Sequence, residues 1–303
     1  MTVSQPKNLA ASVHQRLLNN ARDAGRPFNE VLQYFAMERF LYRLSKSPLS
    51  DNFVLKGALL FKVWDTANSR PTMDIDLLGF TDNNPENMAD SVIEMCSTEV
   101  EPDGLVFDCD SVHADRIKED ADYEGVRVRF AGRLGNARIS MQIDVGFGDI
   151  VHPRAVSLRF PTILDMPAPE LRGYSRESVV AEKLEAMVYL GRLNSRMKDF
   201  YDVWLFARQF DFNGGDLAAA IERTFANRGT QLTDISQITV EILENPNLDA
   251  QWNGFLKKTG VIAPERFSDI LPTINEFLGP PLTSLASKTP FAGQWHASGP
   301  WAS

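Results

Sequence analysis

At 303 residues, with a formal net charge of −9 and ordinary hydrophobic (44%) and charged (23%) fractions, the chain has the length for one large globular domain or two modest ones. No apolar run approaches the roughly 20 residues of a bilayer span, and the polar N-terminal stretch lacks the apolar core of a signal peptide, so a cytoplasmic protein with no membrane partner is expected. Cys96 and Cys109 form no CxxC pair, and His14, His113, His152 and His296 fall at no metal-ligand spacing, which argues against a disulfide framework, a zinc site and a Cys–His nucleophile.

Residues 8–44 carry two helical patterns. Leu9, Val13, Leu17 and Ala21 form the first, and Val31, Leu32, Phe35, Phe40, Leu41 and Leu44 the second. Gly25-Arg26-Pro27 separates them, and Asn29 is the expected cap of the second. Residues 53–61 (FVLKGALLF) read as strand, tight turn at Lys56-Gly57, then helix. Residues 72–80 (TMDIDLLGF) alternate Met73, Ile75 and Leu77 against Asp74 and Asp76, the signature of a strand with one polar face. A helix is expected near 85–96, and strands near 105–112, 125–130, 138–145 and 156–164. The Pro-rich stretch 165–169 reads as the main domain boundary. Beyond it, helices are expected over 175–191, 198–209 and 215–227, with shorter ones to 278. Residues 279–303 are either a disordered tail or a strap pinned by Trp295 and Trp301.

Charge is unevenly spread. Acidic residues dominate 82–124, where Arg116 and Lys118 are the only bases. The first fifty residues (Lys7, Arg16, Arg22, Arg26, Arg39, Arg43, Lys46) and residues 172–208 lean basic. Such clusters are either solvated helix faces or the lining of a groove for a polyanion.

Three carboxylates stand out. Asp74 and Asp76, two apart on a strand, share a face. Asp144 ends the apolar part of another strand, SMQIDV. Placed side by side, the two strands would gather ligands that Mg²⁺ (or Mn²⁺) prefers, able to clamp a nucleoside triphosphate for in-line attack. Taken singly, each residue is equally a solvated strand carboxylate, and Asp144 also a turn cap. The Lys56-Gly57 turn comes one helix length earlier; its backbone N–H groups either cradle phosphates or simply turn the chain. A second constellation lies in 181–204, where Lys183 is either a phosphate-facing cation or an exposed helix lysine paired with Glu182 or Glu185. Arg196, Lys198, Asp199 and Asp202 crowd the start of the next helix, with Lys198 and Asp202 at i,i+4.

The stretches FVLKGALLF, RPTMDIDLLG, QIDVGFGD and AEKLEAMVYLGRLNSRMKDFYDV resemble the motifs of the AbiEii/AbiGii nucleotidyltransferase toxins of type IV toxin–antitoxin and abortive-infection pairs, over residues 8–210. The resemblance implies an α+β fold, with a DNA polymerase β-like lobe of mixed sheet at 1–165, a helical domain at 166–280 and a tail at 281–303. It implies metal ligation by Asp74 and Asp76, triphosphate contact by Lys183 and a catalytic acidic residue at Asp202, expected to orient Lys183 or a metal-bound water. Asp144 is expected to complete the metal site and to draw the proton from the acceptor hydroxyl. Lys56, Gly57, Arg70, Thr72, Arg196 and Lys198 are expected around the nucleotide. One departure is that Ala58 follows Gly57 where related folds carry Ser or Gly, so no hydroxyl contact is expected there. The implied reaction moves a nucleotide from an NTP to RNA, with a tRNA 3′ end as first candidate and a cognate antitoxin encoded nearby. Modification of a protein hydroxyl or small molecule, a non-catalytic binding module and a metal-dependent nuclease are the alternatives.

Overall fold

A computed structural model describes residues 8–120, 123–232, 239–240 and 242–302. Lys7 and the side chain of Arg192, both in the basic stretches above, lie outside the described residues. The chain divides into two compact units: residues 1–65, 72–148 and 156–173 form the first, and residues 66–71, 149–155 and 174–303 the second. The Pro-rich stretch 165–169 does not separate them. It joins two paired strands, β6 (Val156–Arg159) and β7 (Glu170–Gly173), inside the first unit.

The first unit opens with α1 (Leu9–Asp23), capped by the Asn8 side chain on the Ala11 N–H at 3.0 Å, and α2 (Phe28–Lys46). Asn29 does not cap α2; Pro27 occupies that position and Asn29 lies within the first turn. Proline's fixed φ and missing N–H make it tolerable where helix N–H groups have no partner anyway.

Every α2 residue from 31 to 44 is buried, including Glu38, Arg39 and Arg43. Arg43 pairs with Asp103 at 2.7 Å, and Arg39 lies over the Tyr42 ring and donates to the Pro167 carbonyl at 2.7 Å. These two arginines are therefore parts of the core and do not line a polyanion groove.

Burial is also what raises the Glu38 carboxyl to about 7, outweighing its hydrogen bond from the Ile163 N–H and the nearby Arg39. Between pH 4.5 and about 7 the folded chain thus holds a proton that the unfolded chain has released, so stability falls as pH rises through that window. The difference converts to about 3 kcal/mol. Glu38→Gln is expected to abolish that fall: urea midpoints of wild type should drop between pH 5 and pH 8 by more than those of the variant. Parallel pH profiles would refute the assignment.

The sheet of this unit has seven strands, in the order β3-β4-β5-β2-β1-β7-β6. Its members are β1 (Phe53–Lys56), β2 (Ile75–Gly79), β3 (Leu105–Asp120), β4 (Tyr123–Leu134), β5 (Ala137–Phe147), β6 and β7. It is mixed: β2 runs parallel to β5 and β1 parallel to β7, with antiparallel pairs elsewhere. A 3-10 turn at Gly57–Leu59 and the short α3 (Leu60–Val63) follow β1, and α4 (Pro85–Ser97) follows β2.

The second unit is mainly helical: α5 (Arg176–Leu190), α6 (Met197–Gln209), α7 (Gly214–Arg228), α8 (Leu248–Thr259) and α9 (Leu271–Ala286). The C-terminal segment is a strap. Its strands β9 (Gln294–Trp295) and β10 (Trp301–Ala302) pair in a small sheet with β8 (Phe212–Asn213). The fully buried Trp295 indole donates to the Ala207 carbonyl at 2.7 Å, and the Trp301 indole to that of Phe277 at 2.9 Å. Buried indole N–H groups need acceptors, and these two fix the strap.

Candidate active site

Strand register in the first unit assembles a row of charge. Lys56 lies opposite Asp76 in the β1–β2 pair, Asp76 opposite Asp144 in β2–β5, Asp144 opposite Arg127 in β5–β4, and Arg127 opposite Asp115 in β4–β3. Directly opposed residues share a face of the sheet, so five strands contribute alternating clusters of charge to one line. Asp74, immediately before β2, joins it: Asp74, Asp76 and Asp144 each offer an oxygen within 4.8 Å of the others. A donor set made wholly of carboxylate oxygens fits a hard divalent cation, and such a cation would relieve the repulsion among three like charges.

The carboxylates are held from several sides. The Thr72 hydroxyl donates to Asp74 Oδ1, while the Thr72 N–H donates to the Tyr34 hydroxyl at 3.0 Å. Gln33, next to Tyr34 on α2, donates to the carbonyls of Met73 and Ser140. The expected nucleotide ligand Thr72 therefore spends its hydroxyl on orienting Asp74. Arg127 clasps Asp144 with two hydrogen bonds of 2.7 Å, and Gln142 adds a third at 3.3 Å. Sequence reading passed over Arg127, because its charge becomes informative only once β4 is registered against β5. On the same face, Gln33, Met73, Asp74, His113, Arg129 and Gln142 line an open cavity of about 650 Å³.

Gly57 is more than a loose turn. Its φ is +71°, and a Cβ built there would lie 1.9 Å from Asp76 Oδ2. Only glycine allows both the left-handed backbone and this approach of the carboxylate. Gly57→Ala is expected to push Asp76 aside and lower turnover by about 100-fold, the scale on which a misplacement of about 1 Å acts. Far-ultraviolet circular dichroism should stay native. Wild-type turnover in the alanine variant would show that Asp76 has no positional demand.

Lys183 and Asp202 belong to the second unit, as do Arg70, Arg196 and Lys198. The Lys183 ammonium lies 2.8 Å from Asp199 and 2.7 Å from Asp202, so its expected alternative partners, Glu182 and Glu185, are not its ion-pair partners. Those glutamates instead face Arg228, at 3.6 and 2.8 Å, and Arg228 also meets Asp149 at 2.9 Å. Arg70 grips Asp202 in a bidentate pair with contacts of 3.0–3.2 Å, and Arg196 approaches Asp199 at 2.9 Å. The expected pairing of Lys198 with Asp202 along the helix gives way to these tertiary partners.

Burial alone would lower the Lys183 ammonium, but the two aspartates outweigh it and hold the group above the usual lysine range. Burial would likewise raise Asp199, yet Lys183, Arg196 and Lys198 hold it at about 2. Burial lowers Lys198, with the neighbouring Lys183, Arg70 and Arg196 cations adding to the effect. Four cations thus surround two buried aspartates, leaving local positive charge in excess.

A family model described as "Nucleotidyl transferase AbiEii toxin, Type IV TA system" matches residues 39–277. No curated protein matches the chain. Among solved structures, JHP933 from Helicobacter pylori is similar at 15% identity, covering 94% of this chain and 96% of that one, with a TM-score of 0.43. A second H. pylori structure, provisionally described as a nucleotidyltransferase, is similar at 15% identity over 94% of this chain and all of that one, also at 0.43.

Proposed function

The chain belongs to the AbiEii nucleotidyltransferase toxin family of type IV toxin–antitoxin systems, and from that premise we propose that it transfers nucleotides from an NTP to the 3′ end of RNA, with tRNA as the first acceptor. The observation that carries this reading is the carboxylate triad Asp74, Asp76 and Asp144 on one sheet face, beside the Gly57 turn. Asp74 and Asp76 would hold Mg²⁺ or Mn²⁺, with Asp144 next to them. A divalent ion bound there would neutralise phosphate charge and lower the cost of ionising the attacking hydroxyl.

The acceptor hydroxyl gives up its proton to water, its oxygen forms a bond to the α-phosphorus, the bond from that phosphorus to the bridging oxygen breaks, and pyrophosphate leaves with the displaced charge. The N–H groups of the Lys56-Gly57 turn would receive phosphate oxygens. Lys183, Arg70, Arg196 and Lys198, cation-rich as a group, would stabilise the triphosphate, with Asp202 and Asp199 holding Lys183 in place. A single-stranded 3′ end suits such chemistry because its hydroxyl reaches the phosphorus without unpairing a duplex.

Type IV membership implies an antitoxin partner, and we infer that its gene lies nearby. No helix among the described residues is long and apolar enough to cross a membrane. Incubation with each α-labelled NTP, Mg²⁺ and total RNA tests the proposal. Label on tRNA, abolished by periodate oxidation of its 3′ end, is the expected result. Label on protein or on a small molecule, shortened RNA, or no label at all would refute the RNA acceptor.

A further inference from the structure

The third carboxylate of the triad is not freely offered. Asp144 Oδ1 accepts from Arg127 Nε and Asp144 Oδ2 from Arg127 Nη2, both at 2.7 Å, and Gln142 donates to Oδ2 as well. The forked guanidinium and Gln142 together take three of the roughly four lone-pair sites of this carboxylate, and the guanidinium carries a full positive charge, so a metal ion meets both competition and repulsion there. The pair is largely shielded: the side chains of Asp144 and Arg127 are 9% and 30% exposed. Asp74 and Asp76 accept no hydrogen bond from Arg127 among those described.

We propose that Arg127 is a positioning residue that reserves Asp144, so that a divalent cation is held by Asp74 and Asp76, and Asp144 joins only when the guanidinium lets go. This rests on the metal reading of the triad. It has two consequences. Asp144 turns its oxygens to Arg127 and Gln142, so while the clasp is closed the orienting of the acceptor hydroxyl falls to other groups. The clasp is also placed to be opened by an anionic group, since a phosphate oxygen offers a guanidinium the same bidentate partner.

The alternative role for such an arginine is support, in which it orients a ligating carboxylate and strengthens the metal site. The two roles predict opposite signs. Mn²⁺ affinity, read by electron paramagnetic resonance of the free ion without nucleotide, is therefore the test. Arg127→Met is expected to tighten Mn²⁺ binding by about tenfold, the lower end of the range over which groups bonded to metal ligands act.

Any lost positive charge would also favour a cation through space, so the effect is measured again in an Asp144→Asn background. There the clasp has no carboxylate to release, and Arg127→Met should change Mn²⁺ affinity by less than about twofold. Arg127→Lys, which keeps the charge but not the fork, should fall between wild type and Arg127→Met. Weaker binding in Arg127→Met, unchanged binding, or an equal gain in the Asp144→Asn background would each overturn the proposal. If neither wild type nor Arg127→Met binds Mn²⁺, the metal reading itself fails. If wild type binds and Arg127→Met binds equally, only the role given to Arg127 fails. Thermal unfolding of each variant confirms that the compared proteins are folded.

Discussion

Asp76→Asn is expected to lower nucleotidyl transfer by at least about 10³-fold while the protein stays folded, the scale on which electrostatic anchors of phosphoryl chemistry act. The substitution keeps the volume beside Gly57 and in the β1–β2 pair and removes only the charge. Asp76 is one of three carboxylates whose oxygens lie within 4.8 Å, so its loss also relieves repulsion. Stability should therefore change by no more than about 1 kcal/mol. Asp74→Asn is expected to match the loss in rate, with a small added cost from the Thr72 hydroxyl, whose acceptor becomes neutral. Turnover measured with saturating NTP and Mg²⁺, alongside thermal unfolding, separates chemistry from folding. Near-normal turnover in both variants would remove the metal site from the mechanism.

Lys183→Met is expected to do what a surface lysine substitution would not: destabilise the second unit by about 3–5 kcal/mol, the cost of leaving buried carboxylates without their cation. Asp199 and Asp202 are fully buried, and each lies within 2.8 Å of the ammonium. Arg70 and Arg196 remain as partners, which favours the lower end of that range. Chemical denaturation reads the loss directly.

The double variant Lys183→Met/Asp199→Asn then separates structure from function. It removes one charge of each sign and leaves Asp202 paired with Arg70, so most of the stability should return. If Lys183 carries triphosphate charge, the KM for NTP should stay raised about tenfold or more in the double variant, since the interaction with substrate is still missing. Recovery of wild-type KM together with stability would assign Lys183 a purely structural role.

Local pattern was enough to place most elements of the first unit. Strand–turn–helix at 53–61, the alternating strand around Asp76 and the helix near 85–96 each carry their periodicity within a few residues, and periodicity is what a short window records. The helices α5, α6 and α7 were equally legible. The α+β class and the family also followed from residues in sequence, because their motifs are contiguous. What failed locally failed where partners are distant. The sheet gained β7 because that strand, four residues long, is held by pairing rather than by propensity. The Pro-rich stretch between β6 and β7 looked like a linker because proline marks turns whether or not a boundary follows.

The site divides along the same line. Alternation in the sequence put Asp74 and Asp76 on one face, and the two stay together although β2 begins only at Ile75, after Asp74. That Asp144 stands beside them was decided by the parallel β2–β5 register, formed between residues 68 apart in the aligned pair Asp76 and Asp144. Arg127 entered only through the β4–β5 register, which turned an unremarked strand arginine into the clasp on Asp144. Charge in a sequence likewise did not reveal which ions meet: Arg39 and Arg43 read as basic surface and are core, while Lys183, read as a phosphate-facing cation or an exposed helix lysine, anchors two buried aspartates. Periodicity is a property of the local backbone and can be read along the chain, whereas the partner of a charge or of a strand edge is set by which distant segment best satisfies it, and only the folded arrangement supplies that segment.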